Sequence, residues 1–86
     1  MSLRLRHKAR LVRRGRTGKM LLVYPERALE LNASAVEVVE LLDGTRTLAD
    51  IVSEIAARHP DAAPDAIFSG VQRFVSQLAA RALVDT

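Results

Sequence analysis

Residues 20–32, MLLVYPERALELN, decide how the fold begins. Met20 to Tyr24 is an unbroken run of strand-favouring side chains, and it stops at Pro25, which has no N–H to offer a sheet ladder. After the short Pro25-Glu26-Arg27 turn, Leu29 and Leu31 alternate with Ala28 and Glu30, the period of a half-buried strand. On the other side, the segment RRGRTGK carries turn chemistry at Gly15 and Gly18. It predicts a loose basic loop joining 20–24 to an earlier strand at about residues 9–13. Further upstream, Leu3 and Leu5 alternate with charged residues in a register too weak to define a strand.

Asn32 ends the third predicted strand and can cap a helix, with Ser34 and Glu37 at capping-box spacing just beyond it. Ala35, Val38, Val39 and Leu42 occupy i, i+3, i+4 and i+7, one apolar stripe that runs to Asp43-Gly44, read as a C-terminal cap. Thr47 caps a second helix with Asp50 at the reciprocal position, and Leu48, Ile51, Val52, Ile55 and Ala56 form its buried stripe. The segment HPDAAP breaks that helix. A third helix from residue 64 or 65 carries Ile67, Phe68, Val71, Phe74, Val75, Leu78, Ala79 and Ala82, a face wide enough to need both the other helices and the sheet. The fold class is α+β: a small winged-helix-like domain over residues 1–86, a three-stranded antiparallel sheet followed by three helices.

Composition narrows the function classes. In 86 residues, 49% of them apolar, there is room for one modest core, which self-association as a homodimer would help. The longest apolar run falls far short of a bilayer span, so no membrane partner is expected, and no basic-then-apolar signal peptide opens the chain. Cytoplasm is the expected location. There is no cysteine, and the two histidines, His7 and His59, are remote from each other without an intervening carboxylate cluster, so no metal and no cofactor are expected.

An enzyme is not expected either. Ser34, Ser53, Ser69 and Ser76 have no convincing histidine and acid partners, and Glu37 and Glu40 read as solvated, helix-supporting residues. His59-Pro60 reads as a helix end, its imidazole set against the last carbonyls. His7 reads as exposed.

Charge is distributed unevenly. Eight of the thirteen Lys and Arg residues fall in the first nineteen positions, which contain no acid, while all ten acids follow from Glu26 onward. Such a basic N-terminal segment, 1–19, can serve nucleic acid, a membrane surface or an acidic peptide, or be ordinary solvated surface with no dedicated partner. A winged-helix nucleic-acid-binding protein is the alternative reading. It is weakened by the third helix, which offers only Gln72, Arg73, Ser76, Gln77 and Arg81 outside its apolar face, and by the acids Glu37, Glu40, Asp50 and Glu54 on the first two helices.

The order and spacing of several pieces resemble the PqqD family of peptide recognition elements. They are the strand ending at Tyr24-Pro25-Glu26, Leu31-Asn32 followed by Ala35, Asp43-Gly44-Thr45-Arg46-Thr47, and Ile51 with Ile55. The resemblance runs from about residue 9 to residue 84. It implies a non-catalytic protein that holds a ribosomal precursor peptide and presents it to a radical S-adenosylmethionine maturase, in pyrroloquinoline quinone biosynthesis or a related pathway. It also implies that the peptide pairs with the third strand beside the third helix. Carried onto this chain, that peptide site is Ala28, Leu29, Glu30 and Leu31 with Arg73, Gln77 and Arg81. Arg10, Arg13, Arg14, Arg16 and Lys19 would then steer an acidic peptide or enzyme surface. Two segments depart from the family: RLQWE of the quinone pathway is here Arg10-Leu11-Val12-Arg13-Arg14, and a closing glycine, tryptophan and aliphatic residue is here Ala82-Leu83-Val84.

Overall fold

A computed structural model describes residues 2–85. The predicted hairpin and its third strand are present as β2 (Arg10–Arg13), β3 (Met20–Tyr24) and β4 (Arg27–Leu31), an antiparallel sheet in the order β2-β3-β4. Leu22, fully buried, lies opposite Leu11 on one side and Leu29 on the other. The alternation read from 20–31 is thus the alternation of one core-facing sheet surface. Pro25 and Glu26 form the two-residue turn between β3 and β4, and Glu26 takes the positive φ of 66° that the second turn position requires.

The three helices are α1 (Ala33–Glu40), α2 (Leu48–Arg58) and α3 (Pro64–Ala80). Asn32 caps α1, its Oδ1 accepting the Ala35 N–H at 2.8 Å. Thr47 and Asp50 form the complete capping box at α2: Thr47 Oγ1 accepts the Asp50 N–H at 3.2 Å and Asp50 Oδ2 accepts the Thr47 N–H at 3.0 Å. Pro64 opens α3 where the missing N–H costs nothing.

A second small sheet was not anticipated. Leu3–Leu5 forms β1, flanked by β5 (Asp43–Arg46) and β6 (Val84–Asp85) in the order β5-β1-β6. It corrects the reading of Asp43-Gly44 as a helix cap. Helix α1 ends earlier, with Leu41 as its cap, and the Asp43 carboxylate accepts from the Thr45 N–H at 2.9 Å and the Thr45 hydroxyl at 2.6 Å inside the strand. These bonds are the main reason that the Asp43 carboxyl is held below its ordinary pKa. Gly44 has φ 87°, and a Cβ there would come within 3.3 Å of Arg4 Cδ, so the bend beside β1 is a glycine position on both counts.

One contiguous core runs from Leu3 and Ala9 through Leu22, Leu31, Val38 and Ile51 to Leu78, Leu83 and Val84, with β5 contributing no side chain to it. Helix α3 finds its main partners in α2 and β6, not in the large sheet. This corrects the expectation that its wide apolar face would be covered by helices and sheet together. Phe68, Ala79 and Ala82 are exposed, and Ile67 and Phe74 are only half covered.

Candidate functional site: a free strand edge running into an apolar groove

The backbone hydrogen-bonding pattern of β4 follows from its turn. A two-residue turn makes Tyr24 and Arg27 a hydrogen-bonded pair, and such pairs alternate with non-bonded ones along an unbroken antiparallel register. Leu29 and Leu31 are therefore bonded to β3. Ala28 and Glu30 direct their N–H and C=O groups the other way. β4 is an edge strand, so those groups face outward from the sheet. The side chains divide in the same manner: Leu31 is buried and Leu29 half-buried against the core, whereas Ala28 and Glu30 are exposed. The four predicted strand residues thus separate into two that anchor the edge and two that offer it.

Asn32 follows β4 directly and also lines a groove of about 470 Å³ between α1 and α3. Ala35 and Val38 of α1 face Ile67, Gly70, Val71 and Phe74 of α3 across it, with Ile55 of α2 also in the lining. This groove exists because α3 packs on α2 and β6 and leaves part of its apolar face unfilled. Its volume is in the range of a ligand cleft.

The groove lining also carries Glu37 and His59. The His59 Nε2–H donates to Glu37 Oε2 at 2.8 Å, and Arg58 Nη1 stands 3.8 Å from Glu37 Oε1. Glu37 is therefore not the solvated helix residue that its sequence position suggested. The His59 N–H caps α2 by reaching the Ile55 and Ala56 carbonyls at 3.1 and 3.2 Å, but its imidazole leaves the helix end for the neighbouring carboxylate.

The charged residues predicted for the third helix lie elsewhere. Arg73, Gln77 and Arg81 are exposed and outside the groove lining. Gln77 follows Gly70 by seven residues and Arg81 follows Phe74 by seven, so both continue the groove-facing flank toward the end of α3. Arg73 follows Ala66, another lining residue, by seven and so lies at the edge of the same flank. Arg81 Nη1 donates to the Gln77 carbonyl at 3.3 Å.

Arg10, Arg13, Arg14, Arg16 and Lys19 are all exposed on β2 and the turn that follows it. Lys19 Nζ reaches Glu30 Oε1 at 3.2 Å and so joins the basic turn to the free edge. Both side chains are more than half exposed, and the pair adds little to stability. Among the described residues no group of three or more His, Cys, Asp or Glu side chains could hold a metal, and no helix is long and apolar enough to cross a membrane.

The groove residues were missed in the sequence because Ile67, Val71 and Phe74 at helical spacing look like core. The signal available was the excess width of the third helix's apolar face, together with a glycine in the middle of it.

Solved structures share the fold of this chain. A solution structure described as the PqqD truncation of Methylobacterium extorquens PqqCD, a stand-alone recognition element for ribosomally synthesised and post-translationally modified peptides, superposes with TM-score 0.79 at 28% identity, covering 98% of this chain and 88% of that one. The crystal structure of PqqD from Xanthomonas campestris gives TM-score 0.65 at 32% identity over 95% of this chain and 90% of that one. TbiB1, solved in complex with the TbiA(beta) leader peptide, shares the fold at TM-score 0.77 with 15% identity, over 95% of this chain and 94% of that one.

Among curated proteins, the PqqA binding protein of Rhizobium meliloti is 35% identical over 68 residues, 79% of this chain and 68% of the relative. That of Stutzerimonas stutzeri is 48% identical over 42 residues, 49% of this chain and 46% of the relative, so the match spans about half of each. The family profile described as Coenzyme PQQ synthesis protein D (PqqD) matches residues 19–84, and the chain belongs to that family.

Proposed function

We propose that this chain is a non-catalytic peptide-capture domain that binds a ribosomal precursor peptide of the PqqA kind and presents it to a radical S-adenosylmethionine maturase. The observation that carries this reading is the outward-facing N–H and C=O groups of Ala28 and Glu30 on an edge strand that leads directly into an apolar groove. An extended peptide adds to such an edge as a further strand: its main chain supplies the hydrogen bonds, and pockets along the way select its side chains. Each net bond contributes about 0.5–1.5 kcal/mol, so several must act together. Leu29 and Leu31 hold the edge in register from the core side, while Arg73 lies beside the groove and Gln77 and Arg81 lie further along α3, where they meet polar or acidic peptide side chains. The basic turn raises the rate at which an acidic peptide or enzyme surface arrives. The family of the chain and the names of its relatives support the choice of peptide.

The test is a titration of fluorescently labelled PqqA and of a labelled DNA duplex with the unaltered chain, Glu30→Ala and Glu30→Pro, each checked for folding by circular dichroism. Glu30→Ala keeps the outward N–H and retains saturable peptide binding. Glu30→Pro removes that donor and weakens binding at least tenfold. Equal peptide affinity in a folded Glu30→Pro variant, or tighter saturable binding to the duplex than to the peptide, would overturn the reading.

A further inference from the structure

We infer that Gly70 is the size-selecting residue of the peptide site: its missing side chain leaves bare helix backbone in the groove, against which a bulky apolar side chain of the captured peptide lies. This deepens the reading above and rests on it.

Gly70 sits in the interior of the seventeen-residue α3, where glycine is the poorest helix former after proline. Two structural reasons can justify a glycine in such a place, and neither applies. Its φ is not positive, unlike those of Gly18 and Gly44, so the backbone makes no demand for it. A Cβ built on it meets no atom within 4 Å, so no close approach of another element demands it either. What lies beyond Gly70 is the groove that it lines. An alanine would be accommodated by the fold and would favour the helix, yet it would project into that space.

The groove's chemistry names the class of occupant. Val38, Ile55, Ile67, Val71 and Phe74 line the same groove as Gly70, so an uncharged branched aliphatic or aromatic group fits in it. The carboxylate in the lining, Glu37, is already engaged by His59 and faced by Arg58, so it offers little to a cationic side chain. The occupant belongs to the peptide added to β4, because Asn32 joins that edge to the groove without a break in the chain.

The experiment measures labelled PqqA binding by fluorescence anisotropy for the unaltered chain, Gly70→Ala, Gly70→Leu and Gln72→Leu, with thermal unfolding of each. Gln72 is an exposed α3 residue outside the groove lining and serves as the control. The expected result is that Gly70→Ala melts at or above the temperature of the unaltered chain yet binds severalfold more weakly. Gly70→Leu binds at least tenfold more weakly, and Gln72→Leu binds as before. A second arm replaces each bulky apolar residue of PqqA singly by alanine. One of these peptides should bind the unaltered chain poorly and lose no further affinity to Gly70→Leu, because the added leucine occupies the space its side chain left.

Affinities of Gly70→Ala and Gly70→Leu within twofold of the unaltered chain, with Glu30→Pro still losing the peptide, would overturn the inference and leave the proposed function standing. An equal loss in Gln72→Leu, or the absence of any compensating peptide, would overturn it as well. Failure of the unaltered chain to bind PqqA would overturn both.

Discussion

The Leu83 N–H donates to the Leu78 carbonyl at 2.9 Å, spanning the end of α3, while the Ala82 N–H donates to the Ala79 carbonyl at 2.9 Å within that loop. Both leucines are fully buried. This is the Schellman arrangement, with the hydrophobic contact that usually accompanies it, and it turns the chain from α3 into β6. Its central residue is Ala82 at φ 58°, a left-handed conformation that glycine adopts without steric penalty. Ala82→Gly is expected to stabilise the chain by about 0.5–1 kcal/mol, raising the melting temperature by roughly 2–8 °C in calorimetry. A lower melting temperature would show that the added unfolded-state freedom outweighs the relieved strain.

Core truncations should be graded by burial. Leu78 is fully buried, so Leu78→Ala is expected to cost about 2–5 kcal/mol by lost transfer energy and cavity formation. Val52 is half-buried on α2, and Val52→Ala is expected to cost about 1 kcal/mol or less. Urea unfolding of both variants checks the order. Equal costs would mean that α2 is packed more tightly than its exposure indicates.

The capping box gives a dependence on pH. The Thr47 N–H and hydroxyl hydrogen bonds hold the Asp50 carboxyl below its ordinary value of 3.8. A carboxyl whose pKa is lower in the folded chain binds protons more readily when unfolded, so its contribution to stability is present above pH 3.8 and is lost as pH falls through the lowered folded value. Asp43, lowered by Thr45 and Arg46, acts with the same sign. Urea midpoints measured between pH 6 and pH 2 should fall at the acid end, and Asp50→Asn should flatten that fall. Thr47→Ala is expected to cost about 1 kcal/mol at neutral pH.

Steering by the basic turn is a kinetic prediction. Arg14→Glu with Arg16→Glu should slow PqqA association severalfold at low ionic strength, with little change in dissociation, and the difference should shrink at 0.5 M salt. Stopped-flow anisotropy separates the two rates. An effect confined to dissociation would place these residues in the bound interface.

Legibility in the sequence followed the range of the interactions. The hairpin, the third strand and the helix caps rest on neighbours a few residues apart: Leu29 opposite Leu22, Asn32 with Ala35, Thr47 with Asp50. The small sheet does not. Leu3 pairs with Arg46 and Leu5 with Val84, and strands of two to four residues carry too little periodicity to announce such partners. Asp43-Gly44 reads as a cap because aspartate and a positive-φ glycine serve caps and bends alike. The same holds for the site. Ala28 to Leu31 was legible as a strand, but the groove beside it depends on which part of α3 stays uncovered, and the Glu37–His59 pair joins residues 22 positions apart.

The pairing of β1 with β6 has a mechanical consequence. Arg4 lies opposite Asp85 and Leu5 opposite Val84, so the start of one strand is beside the end of the other, with Arg6 Nη1 3.2 Å from Asp85 Oδ1 across the same pair. A pull applied between residues 3 and 85 loads this ladder crosswise, one rung at a time, as a zipper is opened, rather than along its length where the rungs would share the force. The first rungs would part at low tension. The next buried side chain in line is Leu83, whose backbone N–H closes the end of α3, so a force between residues 3 and 85 passes almost directly from a two-residue strand into the core.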